Sequence, residues 1–248
     1  MKKSIVTGML LAAVSMPLTA GELSVAVAAN FTDATRDIVP LFEKETGHKV
    51  KVSFGSTGKL YSQIENGAPF EVFLAADSKR PKKAEVENLA VKGSRFTYAM
   101  GKLALWSPQA GQFSNAETYL KKASFAHVAI ANPKTAPYGL AAQQVMEHLG
   151  LWRKLQGKIV QGDSIAQTFQ FAASGNAEIG FVALSQVKAW KESKGSLWEI
   201  PQSNYSPIEQ QAVLLKKGET NDAAKAFLDF LKGSAARKVI TGYGYGVN

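Results

Sequence analysis

The sequence predicts an α/β fold made of two strand–helix units, and three observations predict it. Short apolar runs alternate with segments of helical period from residue 23 onward. That alternation restarts near Tyr98 instead of continuing as one series. The chain also has no cysteine, so no disulfide framework is available and the fold must rest on apolar cores. Repeated strand–helix order places helices on both faces of mostly parallel sheets.

In the first unit, residues 23–28 read as a buried strand and 32–45 as a helix with Ile38, Val39, Leu41 and Phe42 inward. Gly47 ends that helix, since a residue without a side chain adopts the left-handed turn at little cost. A strand over 49–54, a helix over 59–65 closed by Asn66-Gly67, and a strand over 72–75 complete the unit.

The second unit opens with a long strand over 98–106, followed by the breaker-rich Ser107-Pro108-Gln109-Ala110-Gly111. Strands over 127–131, 159–161 and 179–182 alternate with helices over 140–149, 165–173 and 184–189. After the turn around Ser206-Pro207 a strand over 208–215 and helices over 222–231 and 235–241 close the chain. The strands near Leu103 and Gln210 read as crossings between units. The predicted division is lobe I from 21–103 plus 208–248 and lobe II from 104–207, hinged about a cleft.

Residues 1–20 read as a signal peptide. Lys2 and Lys3 precede the apolar run from Ile5 to Val14, Pro17 breaks it, and Leu18-Thr19-Ala20 offers a small residue for cleavage. The run is too short for a bilayer, which needs about 20 residues. A lipid anchor would need a cysteine at the mature N-terminus. Absence of cysteine therefore predicts a freely diffusing protein of the periplasm. The formal charge of +9 is spread over scattered lysines, with no arginine-rich stripe interleaved with aromatics. Nucleic acid is thus not a predicted partner, and a mild attraction for anions remains.

In open α/β sheets, ligands bind beyond the carboxyl ends of strands. Four strand-to-helix junctions share one chemistry there: Ala28-Ala29-Asn30-Phe31, Gly55-Ser56-Thr57-Gly58, Ala136-Pro137-Tyr138-Gly139 and Asp163-Ser164-Ile165-Ala166-Gln167. Each offers hydroxyl or amide groups and unpaired backbone N–H groups at a helix N-terminus, which attracts anions without a formal cation. Taken singly, Asn30 or Ser164 reads as an N-cap, and Ser164 with Gln167 as a capping box. Two junctions from each unit facing one cleft read as a site. Asp163 is the one acid at these tips and points outward in this reading. A partly protonated phosphate would call for an acceptor, whereas molybdate and sulfate present acceptors alone.

Catalysis is not predicted. His48, His127 and His148 neighbour no junction serine, and neither a Gly-x-Ser-x-Gly elbow nor His-Glu-x-x-His appears. A ferric-ion site would need tyrosinate and carboxylate ligands, and Tyr243 with Tyr245 are read as packing the C-terminus.

At these same residues the chain resembles the periplasmic molybdate-binding proteins of molybdate ABC transporters. The segments that carry the resemblance are Val27-Ala28-Ala29-Asn30-Phe31, Gly55-Ser56-Thr57-Gly58, the stretch from Asn66 to Asp77, the stretch from Gly93 to Ala99, Ala136-Pro137-Tyr138-Gly139-Leu140-Ala141, and Gly180-Phe181-Val182-Ala183-Leu184-Ser185. The resemblance implies a periplasmic-binding-protein fold that closes on molybdate, with tungstate as a second ligand. It implies a membrane permease of an ABC importer as partner, no cofactor, a monomer, and molybdenum only as the oxyanion. Carried over, the oxyanion-binding positions are Asn30, Thr57, Tyr138 and the backbone N–H of Ile165, with Ser56 and Ala29 beside them. One position departs: some members use a tyrosine where this chain has Ala183, and Tyr138 is expected to supply the missing hydroxyl. Sulfate or another tetrahedral oxyanion is the alternative ligand.

Overall fold

The computed structural model describes residues 20–247, so the predicted signal peptide, Ala20 apart, lies outside the described residues. The first sheet takes β1 (Glu22–Ala28), β2 (Lys49–Gly55), β3 (Val72–Leu74), β4 (Phe96–Gly101) and, much later, β10 (Ile208–Leu214). The second sheet takes β5 (Leu103–Ser107), β6 (Val128–Ala131), β7 (Ile159–Gly162), β8 (Ile179–Ala183) and β9 (Ser196–Glu199). The first is ordered β2-β1-β3-β10-β4 and the second β7-β6-β8-β5-β9.

The two-sheet α/β class is as predicted, but each sheet is mixed. β1 pairs in parallel with β2 and β3, while β10 runs antiparallel between β3 and β4. The second sheet repeats this scheme, with β6 parallel to β7 and β8, and β5 antiparallel between β8 and β9. The long strand predicted over 98–106 is two strands in different sheets, parted at Lys102. β5 and β10 each enter a sheet from the other unit, and both run against the remaining strands.

The helices are α1 (Thr32–Thr46), α2 (Thr57–Glu65), α3 (Lys79–Val86), α4 (Ala116–Lys122), α5 (Pro137–His148), α6 (Trp152–Leu155), α7 (Ile165–Ala173), α8 (Leu184–Ala189), α9 (Asp222–Lys232) and α10 (Ser234–Gly242). Alternation along β1 divides the first core. Leu23, Val25 and Val27 pack with Ile38, Phe42, Phe227 and Ile240 on one face. Ala26 packs with Leu60, Phe73 and Ala84 on the other. In the second sheet Leu103, Leu105 and Phe181 meet Val145 and Met146, and Trp106 on the opposite face stacks on Phe169 with centroids 4.9 Å apart. Each large apolar side chain so buried contributes about 1.5–3 kcal/mol, which lets a chain without disulfides fold. Gly47 ends α1 at φ +74°, its N–H donating to Glu43 O, as its position predicted.

α3, α4, α6 and β9 escape the sequence reading. In α3 only Pro81 and Ala84 are buried, so its charged sequence carries no apolar period. β9 is an edge strand whose Leu197 stays exposed. Among the described residues, no helix is long and apolar enough to cross a membrane.

Candidate functional site

The carboxyl ends of β1, β2, β6 and β7 carry the four junctions, and all four point toward the contact between the two units. A 3-10 turn (Ala29–Phe31) leads from β1 into α1. Ala29, Asn30, Ser56, Thr57, Tyr138 and Ile165 line one small cavity of about 10 Å³, together with Ala28, Ala76, Ala136 and Pro137. The structure thus brings all six predicted site residues together. None of the lining side chains carries a formal charge, and no group of three or more His, Cys, Asp or Glu side chains suited to a metal ion occurs among the described residues.

What the cavity offers is donors. Thr57 and Ile165 are the first residues of α2 and α7, and Tyr138 is the second of α5, after Pro137. Asn30 holds the equivalent place in the turn that opens α1. First-turn N–H groups find no acceptor in their own helix, and the aligned peptide dipoles leave that end partly positive. Ser56 precedes α2 without capping it, and its Oγ is buried with no hydrogen-bond partner. An unpaired buried hydroxyl costs about 1–3 kcal/mol, so its place in the cavity wall suits a ligand that accepts. The Thr57 hydroxyl oxygen accepts from Ala76 N–H at 3.1 Å, which leaves its hydrogen to donate.

The other junction residues are engaged differently. Ser164 caps α7, accepting from Gln167 N–H at 3.3 Å, while the Gln167 side chain accepts from Asp163 N–H at 2.6 Å. Asp163 points out of the cavity and pairs with Lys59 at 2.8 Å. Gln186 Nε2 donates to Ile165 O at 3.1 Å and fixes that peptide. Ala29 adds an apolar wall.

Behind the cavity lies a buried polar network. Asn30 Nδ2 donates to Gln210 Oε1 at 2.8 Å and to the Tyr245 hydroxyl at 3.1 Å, so the Asn30 amide faces the interior and its backbone N–H remains for the cavity. The Tyr245 hydroxyl donates to Asn30 O at 2.7 Å, and Ser185 Oγ also donates there at 3.1 Å. Gln210 Nε2 donates to the Tyr138 hydroxyl at 3.2 Å. Burial pushes the Tyr98, Tyr138 and Tyr245 hydroxyls above the ordinary tyrosine range, so all three stay neutral.

Gln210, Ser185 and Tyr245 were absent from the sequence reading of the site. Tyr245 does pack the C-terminal tail, as predicted, but its hydroxyl also reaches the Asn30 peptide. The available signal was Gln210-Gln211 beside Glu209 in a strand whose other residues are apolar. At Ala183 the backbone N–H donates to Gln186 Oε1, and no hydroxyl stands there.

The chain is 58% identical over 229 residues to the molybdate-binding protein ModA of Azotobacter vinelandii, covering 92% of this chain and 91% of that one. It is 54% identical over 231 residues to ModA of Rhodobacter capsulatus, covering 93% and 90%. The solved periplasmic molybdate-binding protein of Azotobacter vinelandii superposes with a TM-score of 0.87 at 44% identity, covering 91% of this chain and 99% of that one. The resemblance seen in the junction motifs is borne out by these matches. Residues 23–246 match the family described as bacterial extracellular solute-binding protein, and the chain belongs to that family.

Proposed function

We propose that this protein captures molybdate, and tungstate with it, in the periplasm and hands it to the membrane permease of an ABC importer. Two lobes, 21–103 with 208–248 and 104–207, close about their crossings so that each contributes half of the donors. The observation that carries this reading is the uncharged cavity in which first-turn N–H groups of both units converge beside the unpartnered Ser56 hydroxyl. Backbone N–H groups of Asn30, Thr57, Tyr138 and Ile165 and hydroxyls of Ser56 and Thr57 hold the oxygens. The Tyr138 hydroxyl, whose oxygen accepts from Gln210, donates in place of a tyrosine at position 183. A donor-only wall favours a fully ionised dianion over a partly protonated one, which would need an acceptor. The ligand is transported unchanged by a monomer that uses no cofactor.

The test is the melting temperature with molybdate, tungstate, sulfate and phosphate added separately. A ligand at 100 times its Kd stabilises by about 2.7 kcal/mol, so molybdate and tungstate should raise the melting temperature clearly. Stabilisation by sulfate without molybdate would overturn the assignment.

A further inference from the structure

Three contacts cross the cleft on one side of the cavity. Gly58 N–H donates to Thr135 O at 2.8 Å. Lys59 Nζ lies 2.8 Å from Asp163 Oδ2. Arg80 Nη2 donates to Lys134 O at 3.1 Å while its other nitrogen pairs with Asp77. The first contact differs in kind from the others. It joins two backbones, and its ends adjoin the cavity: Gly58 follows Thr57 in α2, and Thr135 precedes Ala136-Pro137-Tyr138 at the head of α5. One hydrogen bond therefore ties the donor set of one lobe to that of the other.

Space at this contact is set by the missing side chain. A Cβ on Gly58 would lie 2.9 Å from Thr135 Cα and 3.0 Å from Thr135 O. Both are backbone atoms of the opposite lobe and cannot rotate away. Within its own lobe the nearest obstacle is Arg80 Nη2 at 2.9 Å, the mobile end of a long side chain. Gly58 does not adopt the left-handed conformation, and glycine near the start of a helix is less favourable than alanine. Neither the helix nor the rest of its own lobe requires glycine here. The approach of the other lobe does.

We infer that Gly58 is a positioning residue that sets how far the cleft closes. Its bare Cα lets the α2 peptide dock on the Thr135 carbonyl, and that docking brings the first-turn donors of α2 and α5 to one small anion. The inference rests on the proposed capture of an oxyanion by lobe closure. The Lys59–Asp163 pair, with side chains 51% and 71% exposed, is screened by water and adds little to closure.

The test compares the wild-type mature protein with Gly58→Ala and Lys59→Met. It measures melting temperature without ligand, molybdate affinity by calorimetry, and radius of gyration with and without molybdate. Gly58→Ala should melt at or above the wild-type temperature when empty. It should bind molybdate at least about tenfold more weakly, as overpacking at a tight contact implies, and should compact less on saturation. Lys59→Met should stay within about threefold of wild type, as for other exposed pairs. If Gly58→Ala fails to fold, or melts well below wild type when empty, glycine serves the fold and the inference is wrong. Equal affinity and equal compaction would overturn it too. A wild type that binds none of the four oxyanions sinks the capture reading itself, whereas a binding wild type matched by Gly58→Ala sinks this inference alone.

Discussion

Gln210 on β10 and Tyr138 on α5 are joined by a hydrogen bond of 3.2 Å from the amide nitrogen to the phenolic oxygen. The same amide accepts, through Oε1, from Asn30 Nδ2 at 2.8 Å and from the Tyr98 hydroxyl at 3.1 Å. One fully buried side chain thus holds a cavity residue from each unit. Gly101 leaves the room for it, since a Cβ there would overlap the Tyr138 hydroxyl.

Gln210→Leu keeps the bulk and removes every partner. Leaving a buried donor unpaired costs about 1–3 kcal/mol, so the variant should unfold at lower denaturant and bind molybdate more weakly. Paired denaturation and calorimetry check this, and wild-type values in both would show that the amide organises nothing.

Tyr138→Phe separates the hydroxyl from the peptide N–H of the same residue. A hydrogen bond to a charged group contributes about 1.5–3 kcal/mol, so losing it should weaken molybdate binding by at least about tenfold. An unchanged calorimetric affinity would strike the hydroxyl from the ligand set and leave only the N–H.

Affinity should be flat with pH. The side chains lining the cavity hold no carboxylate, histidine or amine, and burial keeps the Tyr138 hydroxyl protonated above the ordinary tyrosine range. Binding isotherms between about pH 6 and pH 9, a span that lies between ordinary carboxylate and tyrosine titration and contains that of histidine, should therefore superpose. A break inside that window would reveal a titrating group at the site.

Stability should depend on pH through Glu178. Burial opposes its ionisation, but backbone N–H groups of Ala126 and His127, each at 2.8 Å, outweigh that and hold its pKa below the usual carboxylate range. A carboxyl with a lowered folded-state pKa stabilises above its unfolded-state value and loses that contribution as pH falls through the folded one. The melting-temperature gap between wild type and Glu178→Gln should therefore shrink from neutral pH toward about pH 4 and below. A gap that widens on acidification would reverse the assignment.

What was legible in the sequence was local. α7 and α8 occupy the spans read from their apolar period, and Ser164 caps α7 as its position indicated. The junction residues could be found because a helix start is written within a few residues of itself. The break at Lys102 could not, since residues on both sides are strand-forming and nothing there records a change of sheet. Gln210 and Tyr245 meet Asn30 from 180 and 215 residues away, a distance over which periodicity carries no information.

The late arrival of β10 bears on how the chain is made. The strands of the second sheet run in one stretch from Leu103 to Glu199, whereas β3, paired with β1 on one side, gains its second partner only when residues 208–214 emerge. On the ribosome, the second sheet can therefore form while the first still presents a bare, apolar strand edge. Such an edge recruits other chains. That edge stays open between the synthesis of Leu74 and that of Ile208, a window set by connectivity and untouched by how stable the finished molecule is.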